Sequence, residues 1–333
     1  MKAAIYAGGG QPVTIETIAD PEPRPGDLLV RIHRCGICGT DLSMTKGGMW
    51  DYAPGQFGHE YSGEVVAVGS EVSGFRTGDI ISVLPSGACG HCAGCAGGNH
   101  IMCYGGEGAM FGFSEFARVP ASVAVKLPST LSAEDGALVE PLAVSLYGVR
   151  MSRIQAGDRV LVLGGGTVAL YAIYWARRLG AGRVVAMSRS DRRRDLCEQM
   201  GADAFIPYGD NEVGEVVETL GGPPDVVYEC VGSEGMLMKA VSHASIYGKV
   251  VSLGFCTGPD PVIPAMASYK CVTMQFLVGY AMRDFLYIAD HMDKGHIDPK
   301  LIVTNQIPLV QLPAMFDTLR GPNHETKVHV TLS

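Results

Sequence analysis

The chain has 333 residues, a formal net charge of -8 and no long basic run, a balance that argues against nucleic-acid binding because nothing neutralises a phosphate backbone. Close to half of the residues are apolar, enough for buried cores, and the length suggests about two domains. No segment offers the roughly 18 uninterrupted apolar residues of a membrane span, and the apolar start at residues 1–8 is too short for a signal peptide, so a soluble cytoplasmic protein is expected. Of the ten cysteines, four are clustered at metal spacing in a long chain, which points to reduced thiolates rather than disulfides.

Residues 3–6 and 28–34 read as β-strands separated by a Pro-rich turn at 21–27, and short apolar runs at 65–68 and 80–83 are bounded by glycine. The first 130 residues are therefore expected to be all-β with small-residue corners. Within them Cys38 opens Cys-Gly-Thr-Asp, and His59-Glu60 follow Gly58. A thiolate, a neutral imidazole and one carboxylate suit a tetrahedral Zn²⁺ site whose fourth position stays open. Cys35 and Cys38 also form a CxxC pair, but a thioredoxin-like redox motif needs a helix start in a βαβ context, and these surroundings are β. Next come Cys89, Cys92, Cys95 and Cys103, separated by glycine and other small residues. This spacing makes a closed Cys₄ zinc site, and the proline-linked spacing of ferredoxin clusters is absent. His91 and His100 lie inside that loop and are read as surface residues.

Ser132 reads as an N-cap with acids in the first turn that follows. Glu140-Pro141 leads on into a helical run through residue 147. From residue 158 the pattern changes to alternating strands and helices. The strand at 159–163 runs into Gly164-Gly165-Gly166-Thr167-Val168-Ala169, a helix follows to about 179, and a second strand covers 183–187. A glycine loop between a strand and a helix is the context for dinucleotide binding, with the pyrophosphate at the helix N-terminus. Further strands are expected near 204–207, 225–230, 249–253 and 272–278, completing a six-stranded parallel sheet. Val231 follows the strand at 225–230 and joins Gly164, Gly165, Gly166, Thr167 and Val168 as a candidate cofactor contact. The tail from 281 reads as two helices and a final strand at 327–332, and about 50 residues rarely fold alone.

The run from Gly58, Gly-His-Glu-x-x-Gly63, with Gly69 and Val72 beyond, resembles the zinc signature of the medium-chain dehydrogenase/reductase family. The Cys₄ loop, Glu140 and the glycine loop fall in that family's order, so the resemblance covers nearly the whole chain. It implies an α/β protein: a GroES-like β-barrel catalytic domain from residues 1–143 and 281–333, discontinuous in sequence, and a Rossmann doubly wound domain at 144–280, with the active site in the cleft between them. It implies two zinc ions. The catalytic ion is held by Cys38, His59 and either Glu60 or Glu140, as in the polyol and threonine dehydrogenase branches, and the structural ion by the four cysteines. Thr40 resembles the hydroxyl that begins the proton relay, and Asp41 the carboxylate that orients the zinc histidine. Ser43 stands where many members carry a histidine that ends the relay, so protons are expected to leave through water or the cofactor ribose.

The strand at 183–187 ends in Ser188-Arg189-Ser190 with no carboxylate for a ribose 2′-hydroxyl, and Arg193 follows one turn on. This pattern favours NADP(H) over NAD(H). Asp191 is read as the cap of the next helix. Met49, Trp50, Tyr52, Met110 and Phe111 are candidates to line a cleft for a bulky or apolar secondary alcohol. A homodimer or homotetramer is expected, because the last strand of the sheet offers an unprotected edge. The expected activity is zinc-dependent hydride transfer between NADP(H) and a secondary alcohol or ketone. The alternatives are a catalytically weakened, zinc-stapled NADP-binding regulator on the same fold, or an NAD-dependent polyol dehydrogenase.

Overall fold

The computed structural model describes residues 1–332. The chain divides into two compact units, Met1–Ala143 together with the segment from Tyr280 onward, and Val144–Gly279. The first unit carries a seven-stranded sheet whose strands run in the spatial order Val303–Pro308, Lys327–Thr331, Asp27–Gly36, Glu60–Val68, Ile80–Val83 and Ala124–Lys126, with Phe116–Pro120 also paired to Asp27–Gly36. All pairings are antiparallel except that between Val303–Pro308 and Lys327–Thr331. A smaller sheet joins Thr14–Thr17, Lys2–Tyr6 and Gly55–Gln56. Leu28, Val30, Ile32, Val65 and Ile81 fill the interior, and Phe57, Phe113 and Phe316 meet edge to face.

Two features of this unit differ from the sequence expectation. Short helices at Gly39–Ser43 and Ala93–Ala96 interrupt the β pattern, both at cysteine-bearing turns. The tail also contributes the strand Val303–Pro308. Its only buried residue is Ile307, so the apolar alternation that marks a strand is missing, and it ends in a proline that an edge position tolerates.

The second unit is a sheet of six parallel strands in the order Ala204–Pro207, Arg183–Ser188, Arg159–Leu163, Val226–Glu229, Lys249–Ser252 and Thr273–Phe276. Numbered along the chain this is 3-2-1-4-5-6, with its reversal point between Arg159–Leu163 and Val226–Glu229, where such sheets bind dinucleotides beyond the carboxyl ends of the strands. Val160 to Leu163 are buried without interruption, as in a parallel strand covered on both faces. The helix Thr167–Arg178 follows directly from the glycine loop.

Candidate metal centres and dinucleotide site

Strand pairing brings three of the four candidate ligands of the catalytic zinc together. Asp27–Gly36 pairs with Glu60–Val68 so that Gly36 stands opposite Glu60. A Cβ on Gly36 would come within 2.1 Å of Glu60 Oε2, so only glycine leaves room for that carboxylate. Two residues later Cys38 caps the helix Gly39–Ser43, its Sγ accepting the Thr40 N–H at 3.4 Å. His59 immediately precedes the strand that opens with Glu60. One donor atom from each of Cys38, His59 and Glu60 lies within 4.8 Å of the others.

Around this trio stand Lys327, which sequence reading missed, and the fourth candidate ligand, Glu140. Lys327 is buried, with Nζ 2.7 Å from Glu60 Oε1 and 3.0 Å from the carbonyl of Ile37. Burial disfavours its charge, but the Glu60 carboxylate overcomes that and holds the ammonium above its ordinary pKa. The one available signal was a lysine on the alternating apolar strand Lys-Val-His-Val-Thr. Glu140, in the first turn of the helix Val139–Met151, is buried and hydrogen-bonded to Tyr280, outside the close trio. Burial pushes its carboxyl up to about 7, while the His59 charge pulls down against the Glu60 charge.

Asp41 is fully buried, and His59 Nδ1 lies 3.2 Å from its Oδ1. That is within hydrogen-bond reach, and among the described residues no other polar group serves this enclosed nitrogen. Thr40 and Ser43 are half-buried on the same short helix. Of the candidate cleft residues, Met49 and Trp50 are exposed and Met110 and Phe111 half-buried. Tyr52 turns inward, and its hydroxyl donates to Asp41.

Cys89, Cys92, Cys95 and Cys103 form a second group, again with sulfurs within 4.8 Å of one another. Cys92 caps the helix Ala93–Ala96 by accepting the Cys95 N–H at 3.5 Å, and Cys103 Sγ accepts the Cys89 N–H at 3.4 Å. That Cys89 N–H pulls the Cys103 thiol down to about 6, ready to serve as a thiolate. Gly94 lets the loop close, since a Cβ there would meet the Met102 carbonyl oxygen at 2.5 Å. His91 is exposed, whereas His100 is half-buried with Nδ1 enclosed, so the surface reading is corrected for His100.

In the second unit Gly164 adopts φ +120°, and a Cβ there would lie 3.3 Å from Val231. A Cβ on Gly166 would meet nothing within 4 Å, and Gly166 begins the helix Thr167–Arg178 without a side-chain cap. Thr167 and Val168 are half-buried in its first turn. Ser188 and Arg193 flank Gly165, their Cβ atoms 3.9 and 3.5 Å from where a Gly165 Cβ would sit. Burial holds the Arg193 guanidinium below its ordinary pKa, while Arg189 is exposed. Asp191 caps no helix: it starts the turn Asp191–Arg193, which follows Ser190 without a side-chain cap, and the next helix begins after Arg193. Sequence reading also missed the buried Glu229, which accepts the N–H groups of Val231 and Gly232 at 2.6 and 2.9 Å and so shapes the loop beside Gly164.

The family pattern of the alcohol dehydrogenase GroES-like domain matches residues 24–129, and that of the zinc-binding dehydrogenases matches residues 167–293. The chain belongs to the zinc-dependent medium-chain dehydrogenase/reductase family, in its polyol and threonine dehydrogenase branch, with a GroES-like domain and a Rossmann domain. It is 34% identical to (R,R)-butanediol dehydrogenase of Bacillus subtilis, covering 94% of each chain. It is 28% identical to L-threonine 3-dehydrogenase of Bacillus velezensis, covering 96% of each. A Sinorhizobium meliloti 1021 protein assigned as a zinc-binding dehydrogenase and solved bound to NADP superposes with a TM-score of 0.87 at 31% identity, covering 99% of this chain and 98% of that one. Among the described residues no helix is long and apolar enough to cross a membrane.

Proposed function

We propose that the protein is a zinc-dependent dehydrogenase or reductase that moves a hydride between NADP(H) and a secondary alcohol or its ketone. The observation that carries this reading is the convergence of Cys38, His59 and Glu60 within 4.8 Å. One soft donor, one imidazole and one carboxylate fit zinc with a coordination position to spare, and four thiolates fit a closed structural site. Bound there, zinc supplies the Lewis acidity that lowers the proton affinity of an alcohol oxygen or polarises a carbonyl. Cys38, His59 and one of Glu60 and Glu140 are its holders, Asp41 orients His59, and Cys89, Cys92, Cys95 and Cys103 staple the lobe.

The chain's own groups do the rest. Lys327 offsets negative charge that Cys38, Glu60 and Glu140 would otherwise accumulate without solvent. Thr40 is assigned as the hydroxyl that takes the alcohol proton, and because Ser43 offers no ring nitrogen where the relay would end, the proton leaves through water or the cofactor ribose. The uncapped N-terminus of Thr167–Arg178 and the bare Gly166 suit a pyrophosphate, and Ser188 with Arg193 suits a 2′-phosphate. The hydride itself belongs to the nicotinamide.

The test is a panel of secondary alcohols and ketones, beginning with 2,3-butanediol because of the Bacillus relative, assayed with NADP and NAD before and after chelation. Turnover with NADP that is lost on chelation and restored by zinc is expected. Protein that binds zinc and NADP yet turns over nothing would favour a regulator on the same fold, and a clear preference for NAD would overturn the cofactor assignment.

A further inference from the structure

One buried carboxylate touches two members of the proposed ligand set. Asp41 Oδ2 accepts the N–H of Cys38 at 2.9 Å, and Oδ1 faces His59 Nδ1 at 3.2 Å. The same Oδ1 accepts the hydroxyl of Tyr52, also at 3.2 Å. The Tyr52 N–H donates to the Met44 carbonyl at 2.8 Å, and its ring lies 5.8 Å from that of Phe57. Phe57 in turn meets Phe113 and Phe316 edge to face, at 5.1 and 6.0 Å. Thr45 Oγ1 donates to the backbone carbonyl of Asp41 at 2.7 Å and accepts from Arg320 at 2.8 Å. The backbone of Asp41 is thus fixed from one side, and its side chain from the other.

We infer that Tyr52 is a positioning residue for the metal centre, its hydroxyl fixing the rotation of the Asp41 carboxylate so that Oδ1 meets His59 Nδ1 and Nε2 is left for the ion. The inference rests on the zinc reading above. The terminal torsion of an aspartate is broad, so the Cys38 N–H bond alone leaves Oδ1 free to swing away from His59. Partners of a metal-bound histidine set its orientation, and their loss typically costs about 10- to 100-fold in metal affinity. Tyr52 lies one step further out, so the lower end of that range is expected. A phenylalanine would keep the packing on Phe57 and remove only the hydroxyl.

The experiment uses the zinc-loaded full-length protein and follows zinc release to a chromogenic chelator, with Phe57→Leu as a packing control. Two phases are expected in the wild type, a fast one from the open site and a slow one from the four cysteines. Tyr52→Phe should speed the fast phase by about 10-fold with the slow phase and the thermal midpoint unchanged, while Phe57→Leu should lower the midpoint and leave the fast phase less affected. An unchanged fast phase in Tyr52→Phe overturns the role of the hydroxyl, and equal acceleration of both phases overturns it in favour of general loosening. A wild type with no fast phase removes the zinc reading itself, and the inference with it, an outcome distinguishable from the other two.

Discussion

Glu140 is held near the metal group by burial and a bond to Tyr280 rather than by a cation of its own, and its carboxyl is pushed up to about 7. A carboxyl that is protonated below that value must release its proton before it can ligate, so metal affinity at the open site should fall as the pH drops through about 7. Competition titrations across that range are expected to show a steeper loss for the wild type than for Glu140→Gln, and equal slopes would leave Glu140 without a part in binding. The cofactor choice rests on side chains at and just beyond the end of Arg183–Ser188. Arg193 packs over Gly165 beside Ser188, whereas Arg189 is exposed. A charged hydrogen bond to phosphate contributes about 1.5 to 3 kcal/mol, so Arg193→Ala should cut kcat/KM with NADP by roughly 10- to 100-fold and that with NAD far less. Arg189→Ala should show the same sign with a smaller loss, and equal losses with both cofactors in the two variants would sink the 2′-phosphate assignment. Cys38, His59 and Glu60 were legible because each sits in a short local motif, Cys-Gly-Thr-Asp or Gly-His-Glu, within one stretch of the chain. Lys327 was not, because the partner that makes sense of a buried lysine lies 267 residues away.

At the scale of elements, what could be read was what local pattern controls. The uninterrupted apolar strand Arg159–Leu163 between a polar start and three glycines, and the Ser132 cap with Asp135 three residues on, carry their own signals. The strand Val303–Pro308 carries none, since its place is set by parallel pairing with Lys327–Thr331 rather than by its own residues. The turn from Cys89 to Cys103 lies between these cases: its spacing is legible, but it contains little beyond a four-residue helix and one 3₁₀ turn to hold it folded. Removing one of four thiolates should therefore undo the lobe, and Cys103→Ala is expected to lose one zinc and the thermal midpoint together, read by metal analysis and calorimetry. A variant that stays folded with two ions per chain would refute the staple. The strand Lys327–Thr331 adds a pH dependence of its own. His329 is fully enclosed with neither ring nitrogen bonded, and burial, helped by the charges of Lys327 and Arg34, pulls it down to about 3. Between about 6.5 and 3 the unfolded chain takes up a proton that the folded chain refuses, so this residue lowers stability as pH falls, by up to about 1.4 kcal/mol per unit. Denaturant unfolding at about pH 7 and about pH 5 should show a smaller acid loss in His329→Leu than in the wild type, and identical losses would show that the imidazole does not govern it.

For the whole molecule, the parallel sheet of the second unit leaves a problem that one chain does not solve. Its last strand, Thr273–Phe276, pairs on one side with Lys249–Ser252 and, among the described residues, has no strand on the other. Phe276 is 65% exposed, and on the helix Pro264–Lys270 just before it Tyr269 is 90% exposed. Ile246 and Tyr247, in the turn that precedes Lys249–Ser252, are also exposed. Monomeric proteins blunt such edges with charge, proline or a covering element, yet Thr273–Phe276 reads Thr-Met-Gln-Phe and carries none of these. The simplest cover is the same strand of a second copy, related by a two-fold axis so that each edge completes the other. A helix laid over the edge would remove the need for a partner, but among the described residues the helix nearest in sequence, Pro264–Lys270, has no buried residue and so does not act as that cover. The protein should therefore sediment as a dimer or tetramer at micromolar concentration. Phe276→Lys should shift it to monomer, because residues near a two-fold axis bring like charges together, while leaving zinc content unchanged since both metal groups lie in the other unit. A wild type that sediments as a monomer would mean that this edge stays bare in solution, and a Phe276→Lys variant that keeps its oligomeric state would move the interface elsewhere.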